Sequence, residues 1–236
     1  MVKKFFLALD YVEHLENIRI GLNALENVSK EFGEDFTKEK MGVKLNLHSL
    51  IGDEIKRFTV FRDRCSIFAD VKIKHGSNTG KLIISKVKKY LPADFFTVDA
   101  SLGSKILKDY VKIADKLNSK IIAFTVHTKI PSEDAEKIYK SSVKETIYNL
   151  GSIAAEAGCD AIVLEARLLG CEKIRNLPIR KLVTGIRIDP SDKGAQARVS
   201  SLEEVKSYKN LIDYVVISSR YLDNWKKLSF ILYSLV

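Results

Sequence analysis

The chain has 236 residues, 46% hydrophobic and 29% charged, and its 39 Lys and Arg against 30 Asp and Glu give a formal net charge of +9 at pH 7. This balance excludes a disordered chain, and no apolar run approaches the ~18 residues of a membrane span. The positive charge suits small anionic substrates, while the scatter of lysines along the whole chain argues against nucleic acid as a partner.

MVKKFFLALD reaches Asp10 before a signal-type apolar segment of ~7 residues can form, so a cytoplasmic protein is expected. KFFLALD (4–10) reads as the first strand, MGVKLNL (41–47) as the second and CSIFADVKI (65–73) as the third. FFTVDAS (95–101) follows as the fourth, then a helix over SKILKDYVKIADKLN (104–118) and a fifth strand, KIIAFTVHT (120–128). The stretch 132–158 reads as helical, starting at Ser132 with Asp134 and Glu136 behind it and stopping at Gly158. AIVLEA (161–166), KLVTGIRI (181–188) and YVVISSR (214–220) are the last three strands, and the longest irregular segment, 189–201, lies between the last two. With four prolines and no Gly/Ser-rich linker, residues 1–236 are expected to form one domain. Cys65, Cys159 and Cys171 have neither CxxC nor Cys/His spacing and read as reduced thiols rather than a structural metal site.

Eight βα alternations imply a parallel sheet closed into a (β/α)8 barrel, an α/β fold. An open doubly wound sheet fits less well, because LALDYVEHLE lacks the glycine-rich turn after the first strand. Active sites of barrels lie at the C-terminal ends of the strands, and those ends carry Asp10, Lys44, Asp70, Lys72, Asp99, His127, Thr128, Glu165, Arg187 and Arg220. Side chains two apart on a strand share a face, so Asp70 and Lys72 enter the mouth together, about 7 Å apart along the strand. Such a pair also fits plain charge neutralisation. Lys44, one strand away, makes a Lys–Asp–Lys row in which each lysine holds the aspartate ionised and the aspartate orients Lys72. For a phosphate group, loop seven offers backbone amides around Gly194, the chain's single glutamine, Gln196, and Arg198, while strand eight ends in Arg220.

These residues resemble the orotidine 5'-phosphate decarboxylase family over essentially the full length. The resemblance rests on LALD, GVK, FADVK followed by NT, DFFTVDASLGS, LVTGIR…DKGAQARVSS and YVVISSR, in that order. It implies a metal-free and cofactor-free carboxy-lyase of pyrimidine biosynthesis, a homodimer with active sites at the interface. In that likeness Asp10 and Lys44 bind ribose, Asp70 sits against the substrate carboxylate, and Lys72 protonates C6. Thr79 reaches the ribose across the interface, Thr128 meets the pyrimidine, and Gln196 and Arg220 hold the phosphate.

The family's Asp-x-Lys-x-x-Asp motif ends here in His75, followed by Gly76 in place of isoleucine. His75 is counted with Lys44, Asp70 and Lys72 among the catalytic candidates. As an exposed loop residue it would have no role. Asp99 stands where the family carries histidine, the proline before Gly185 is missing, and Ser219 replaces a glycine. Two alternatives share the scaffold: a metal-dependent sugar-phosphate lyase, resembling hexulose-phosphate synthase or ketogulonate-phosphate decarboxylase, and a non-catalytic nucleotide-binding descendant. His14 and His48 fall on expected helix starts and read as surface or packing residues, while His127 could face either the site or the helical layer.

Overall fold

Runs of β-branched and aromatic residues form the strands, and the amphipathic stretches between them fold back over the outside as helices. The computed structural model describes residues 2–189, 191 and 196–236. Seven strands come first: β1 (Lys4–Leu9), β2 (Met41–Asn46), β3 (Ser66–Ile73), β4 (Phe95–Asp99), β5 (Lys120–Phe124), β6 (Ala161–Leu164) and β7 (Arg180–Val183). Two short strands, β8 (Ile186–Arg187) and β9 (Ser200–Ser201), precede β10 (Tyr214–Ile217). All barrel pairings are parallel, in the order β1-β10-β7-β6-β5-β4-β3-β2, and Lys4↔Tyr214 belongs to the seam that closes the barrel. The (β/α)8 expectation therefore holds.

The seventh strand is shorter than the sequence suggests. After Val183 the chain leaves the barrel, turns at Gly185 (φ +75), and pairs Ile186–Arg187 with Ser200–Ser201 as a separate two-stranded ladder. A positive φ is strained for any side chain, which accounts for glycine at 185.

Aromatic rings fill the barrel's interior. Phe6 packs against Phe68 at 5.0 Å and Phe95 at 5.3 Å between ring centroids, and Phe95 against Tyr214 at 5.8 Å. Gly42 makes room for this layer, since a Cβ there would lie 2.6 Å from the Phe6 ring and 2.9 Å from the Ser66 carbonyl oxygen. Beyond the rings, Asp160, in the turn before β6, pairs with Arg180 and Lys120 and accepts from the Tyr214 hydroxyl. The N-terminal end of the barrel is thus plugged, leaving the other end for chemistry.

Outside the barrel, the amphipathic helix α1 (His14–Phe32) is followed in chain order by α2 (Glu34–Lys40), α3 (Ser77–Tyr90) and the amphipathic α4 (Ser104–Lys116). In α1 the buried positions Ile20, Ala24, Leu25 and Val28 recur at three- and four-residue steps, and in α4 Leu107, Tyr110 and Ala114 do the same. Residues 132–158 are not one helix. α5 (Ser132–Tyr139) ends at Lys140 in the left-handed region (φ 55), and α6 (Val143–Glu156) restarts with the Ser142 hydroxyl accepting from the Glu145 N–H. The expected stop holds: Gly158 has φ +81. His14 and His48 pack ring against ring at 4.8 Å, His48 touching the Val12 carbonyl, in keeping with packing roles.

Candidate active site

Lys44 is the second-last inward-facing residue of β2, buried among acceptors. Its ammonium donates to Asp10 Oδ1 at 3.2 Å, Asn46 Oδ1 at 2.7 Å and Asp70 Oδ2 at 3.3 Å. Asn46 in turn donates to Asp10 Oδ1 at 2.6 Å. Asp70 Oδ2 also accepts from Lys72 Nζ at 2.7 Å, while Oδ1 accepts from the Thr97 hydroxyl at 2.9 Å. Burial alone would raise the Asp70 pKa, but Lys44, Lys72 and the hydrogen bonds from Lys72 and Thr97 outweigh it and bring it down to about 2. The same acids act on Lys44, where burial lowers the pKa and Asp70 and Asp10 together raise it by more.

Lys72 reaches this row by a departure from regular strand geometry. β3 pairs with β4 at Phe68↔Phe95 and Ala69↔Phe96, then again at Ile73↔Val98, so four steps on one strand match two on the other. The surplus is absorbed around Lys72, whose backbone is left-handed (φ 46) and whose N–H donates to Thr97 Oγ1 at 2.8 Å. Lys72 thus faces the mouth through a bulge and not through simple strand alternation. Thr97 receives from the backbone of Lys72 and gives to the carboxylate of Asp70, fixing both.

The segment after β5 forms a second wall. Lys72 Nζ lies 5.7 Å from the centroid of the Phe124 ring, and the His127 ring meets Phe124 edge-on at 5.5 Å. His127 and Thr128 both line the cavity, which places His127 on the site side. The Lys129 N–H donates to His127 Nδ1 at 3.1 Å. Burial, then Lys72 and Lys129, lower the His127 pKa below its ordinary value, with Arg198 adding to them and Asp70 opposing.

Loop seven contributes Arg187 and Gln196 to the cavity lining. Gln196 Oε1 is buried and has no hydrogen-bond partner among the described residues. Arg198 is a correction. Instead of facing a phosphate, it is 3% exposed and pairs with fully buried Glu165 at 2.6 Å. Its other nitrogens donate to the carbonyls of Ile130, Val126 and His127. The N–H groups of Ala197 and Arg198 donate to the Thr128 carbonyl, so the loops after β5 and β7 are tied together. Gly194 lies outside the described residues. Arg220 stands half-buried on the short turn after β10, two residues past Ser218 of the cavity lining, and Tyr11 donates to the carbonyl of Ser219 beside it.

His75 and Thr79 are not brought to the row. Both are exposed, His75 just before α3 (Ser77–Tyr90) and Thr79 in its first turn, and neither lines the cavity of its own chain. Asp99 pairs with Lys74 at 3.3 Å and accepts from the Ser101 N–H, away from the cavity. Asn46 and Thr97 were not anticipated. Their signal in the sequence is parity alone: Asn46 is two residues beyond Lys44, and Thr97 two beyond inward-facing Phe95.

The sequence model of the Orotidine 5'-phosphate decarboxylase / HUMPS family matches residues 3–220. The chain belongs to this family. Among curated members, the orotidine 5'-phosphate decarboxylase of Nautilia profundicola is 29% identical over 208 residues, covering 82% of this chain and 87% of its own. That of Streptococcus sanguinis is 30% identical over 195 residues, covering 80% and 82%. Among solved structures, the Methanocaldococcus jannaschii orotidine 5'-monophosphate decarboxylase complexed with the inhibitor BMP superposes with a TM-score of 0.71 at 19% identity, over 100% of this chain and 99% of that one. The Lactobacillus acidophilus orotidine 5'-phosphate decarboxylase gives 0.73 at 19% identity over 99% of each chain. At such identities the two structures speak to the barrel fold. Within the described residues no helix is long and apolar enough to cross a membrane.

Proposed function

We propose that the protein converts orotidine 5'-phosphate to uridine 5'-phosphate and carbon dioxide, a step of pyrimidine biosynthesis, at the Lys44–Asp70–Lys72 row. The observation that carries this reading is the sharing of Asp70 Oδ2 by two ammonium groups while Thr97 holds Oδ1. An aspartate kept ionised down to about pH 2 repels a substrate carboxylate set against it, and that repulsion vanishes as neutral carbon dioxide leaves. The C6–carboxylate bond breaks with its electron pair remaining on C6. The Lys72 ammonium stabilises this carbanion, then transfers a proton from Nζ to form the C6–H bond and regains one from water.

Gln196, through its side-chain amide N–H, and Arg220 hold the phosphate, Asp10 and Lys44 hold the ribose, and Thr128 meets the pyrimidine; Gln196, Asp10, Lys44 and Thr128 all line the cavity. Binding energy from the phosphate positions the ring against the row.

His75 and Thr79 enter the reading only through a second copy of the chain. In its favour, Leu82 is exposed one turn beyond Thr79 on α3, and Val12, Leu47 and Ile51 are exposed on the loops after β1 and β2 at the same end of the barrel. An apolar rim of this kind suits a homodimer with its sites at the interface.

The metal-dependent lyase reading is less well supported, because both oxygens of Asp70 are already engaged by lysines and a hydroxyl, leaving a cation poorly served. Carbon dioxide release from orotidine 5'-phosphate, with and without chelator, tests the proposal. Release indifferent to chelator is expected. Absence of release, or its loss on chelation, overturns it.

A further inference from the structure

His127 is a cavity group to which the proposed reaction assigns no task. It follows β5, lines the same cavity as Lys72 and Thr128, and is held edge-on to Phe124. A backbone amide can only donate, so the bond from Lys129 N–H marks Nδ1 as the unprotonated nitrogen and places the proton of the neutral ring on Nε2. Turning the ring over would strip Lys129 of this bond. Adding a proton to Nδ1 would set donor against donor. The surroundings agree: Lys72, Lys129 and Arg198 all oppose a charged ring, and of the facing groups Asp70 favours one. The neutral ring of His127, at the cavity wall, therefore carries a fixed N–H at Nε2 and has no acceptor nitrogen left to offer. A polar group of fixed sense discriminates by what it leaves unpaired.

We propose that His127 is a specificity-determining residue whose Nε2–H donates to a carbonyl oxygen of the bound base, selecting bases that carry a carbonyl there over bases that carry an amino group. This rests on the reading that the cavity takes a pyrimidine nucleotide. A uracil-type ring offers an acceptor, whereas a cytosine-type ring brings an N–H against an N–H. Lys72 cannot make this distinction, since its ammonium is committed to Asp70 and to C6. The Thr128 hydroxyl cannot either, because it can both donate and accept.

The test is calorimetric titration of uridine 5'-monophosphate and cytidine 5'-monophosphate into the wild type, His127→Leu and His127→Gln at pH 7.5. The wild type is expected to bind the uridine nucleotide about 10- to 100-fold more tightly. His127→Leu, with no donor, should weaken uridine 5'-monophosphate about tenfold and bring the ratio near one. His127→Gln carries both a donor and an acceptor on one amide, so it should keep most of the uridine affinity and bind the cytidine nucleotide more tightly than the wild type does. The inference is overturned if the wild type binds the two equally or binds neither, or if the substitutions leave the ratio unchanged. Should His127→Leu fail to fold, the cytidine affinity of His127→Gln decides alone. Turnover is measured separately. Selection that depends on His127 without carbon dioxide release sinks the decarboxylase reading and keeps this one, while release with an unmoved ratio does the reverse.

Discussion

The ammonium of Lys72 lies 2.7 Å from Asp70, the long lysine side chain turning back along a strand whose rise sets the two backbones about 7 Å apart. The backbone at Lys72 is left-handed, and Thr97 stabilises that conformation by accepting from the Lys72 N–H. A left-handed lysine costs on the order of 1 kcal/mol or more, so the surrounding contacts must hold it in place. Replacing Lys72 by Ala is expected to lower kcat by about 10³-fold or more, because both carbanion stabilisation and the proton source disappear. Lys72→Arg should not rescue, since a guanidinium does not give up its proton. Steady-state assays together with nucleotide titrations check this: binding should persist while turnover is lost.

Asp70 gives the protein an acid limb. Its folded pKa is depressed from 3.8 to about 2, so the stabilisation from its ionised form is fully present above pH 3.8 and is lost as pH falls through about 2. Its size follows from the shift and is about 2 kcal/mol. Urea unfolding at successive pH values should show stability falling over this window in the wild type and falling less in Asp70→Asn. The same substitution should abolish turnover and lower stability near neutral pH, because Lys44 and Lys72 lose the anion between them.

The alternation of apolar runs and amphipathic stretches made the barrel legible, and strand ends then pointed to Lys44, Asp70 and Lys72 because inward faces at the C-terminal mouth are few. What stayed hidden depended on contacts distant in sequence. Arg198, in a polar loop, reads as solvent-facing, and nothing local discloses that Glu165, 33 residues earlier, waits for it in the interior. The break in 132–158 was written locally, in Ser142 and Glu145 at capping spacing, but the apolar period runs across it and masks it. The bulge at Lys72 has no signature, since lysine is not a residue that favours the left-handed region.

The Arg198–Glu165 pair is buried on both sides, so removing Arg198 leaves buried Glu165 with only the longer contact to half-exposed Arg167 at 3.6 Å. Arg198→Ala is expected to destabilise the protein by about 3–5 kcal/mol, whereas a double replacement by apolar residues should recover part of the loss. Because Arg198 also ties the carbonyls of Val126, His127 and Ile130 to loop seven, the single variant should raise KM more than it lowers kcat. Thermal unfolding and steady-state kinetics of the three proteins separate these effects.

Gly42 tests whether the aromatic floor fixes the mouth above it. A Cβ at this position meets the Phe6 ring at 2.6 Å and the Ser66 carbonyl at 2.9 Å, and the backbone contact cannot be relieved by a side-chain rotation. Gly42→Ala should therefore cost about 1–3 kcal/mol through overpacking. Lys44 is only two residues further along β2, so the strain should reach the site as well. A fall in kcat accompanying the lowered midpoint in urea is the expected result, while a variant as stable as the wild type would mean that the Phe6 layer is free to repack.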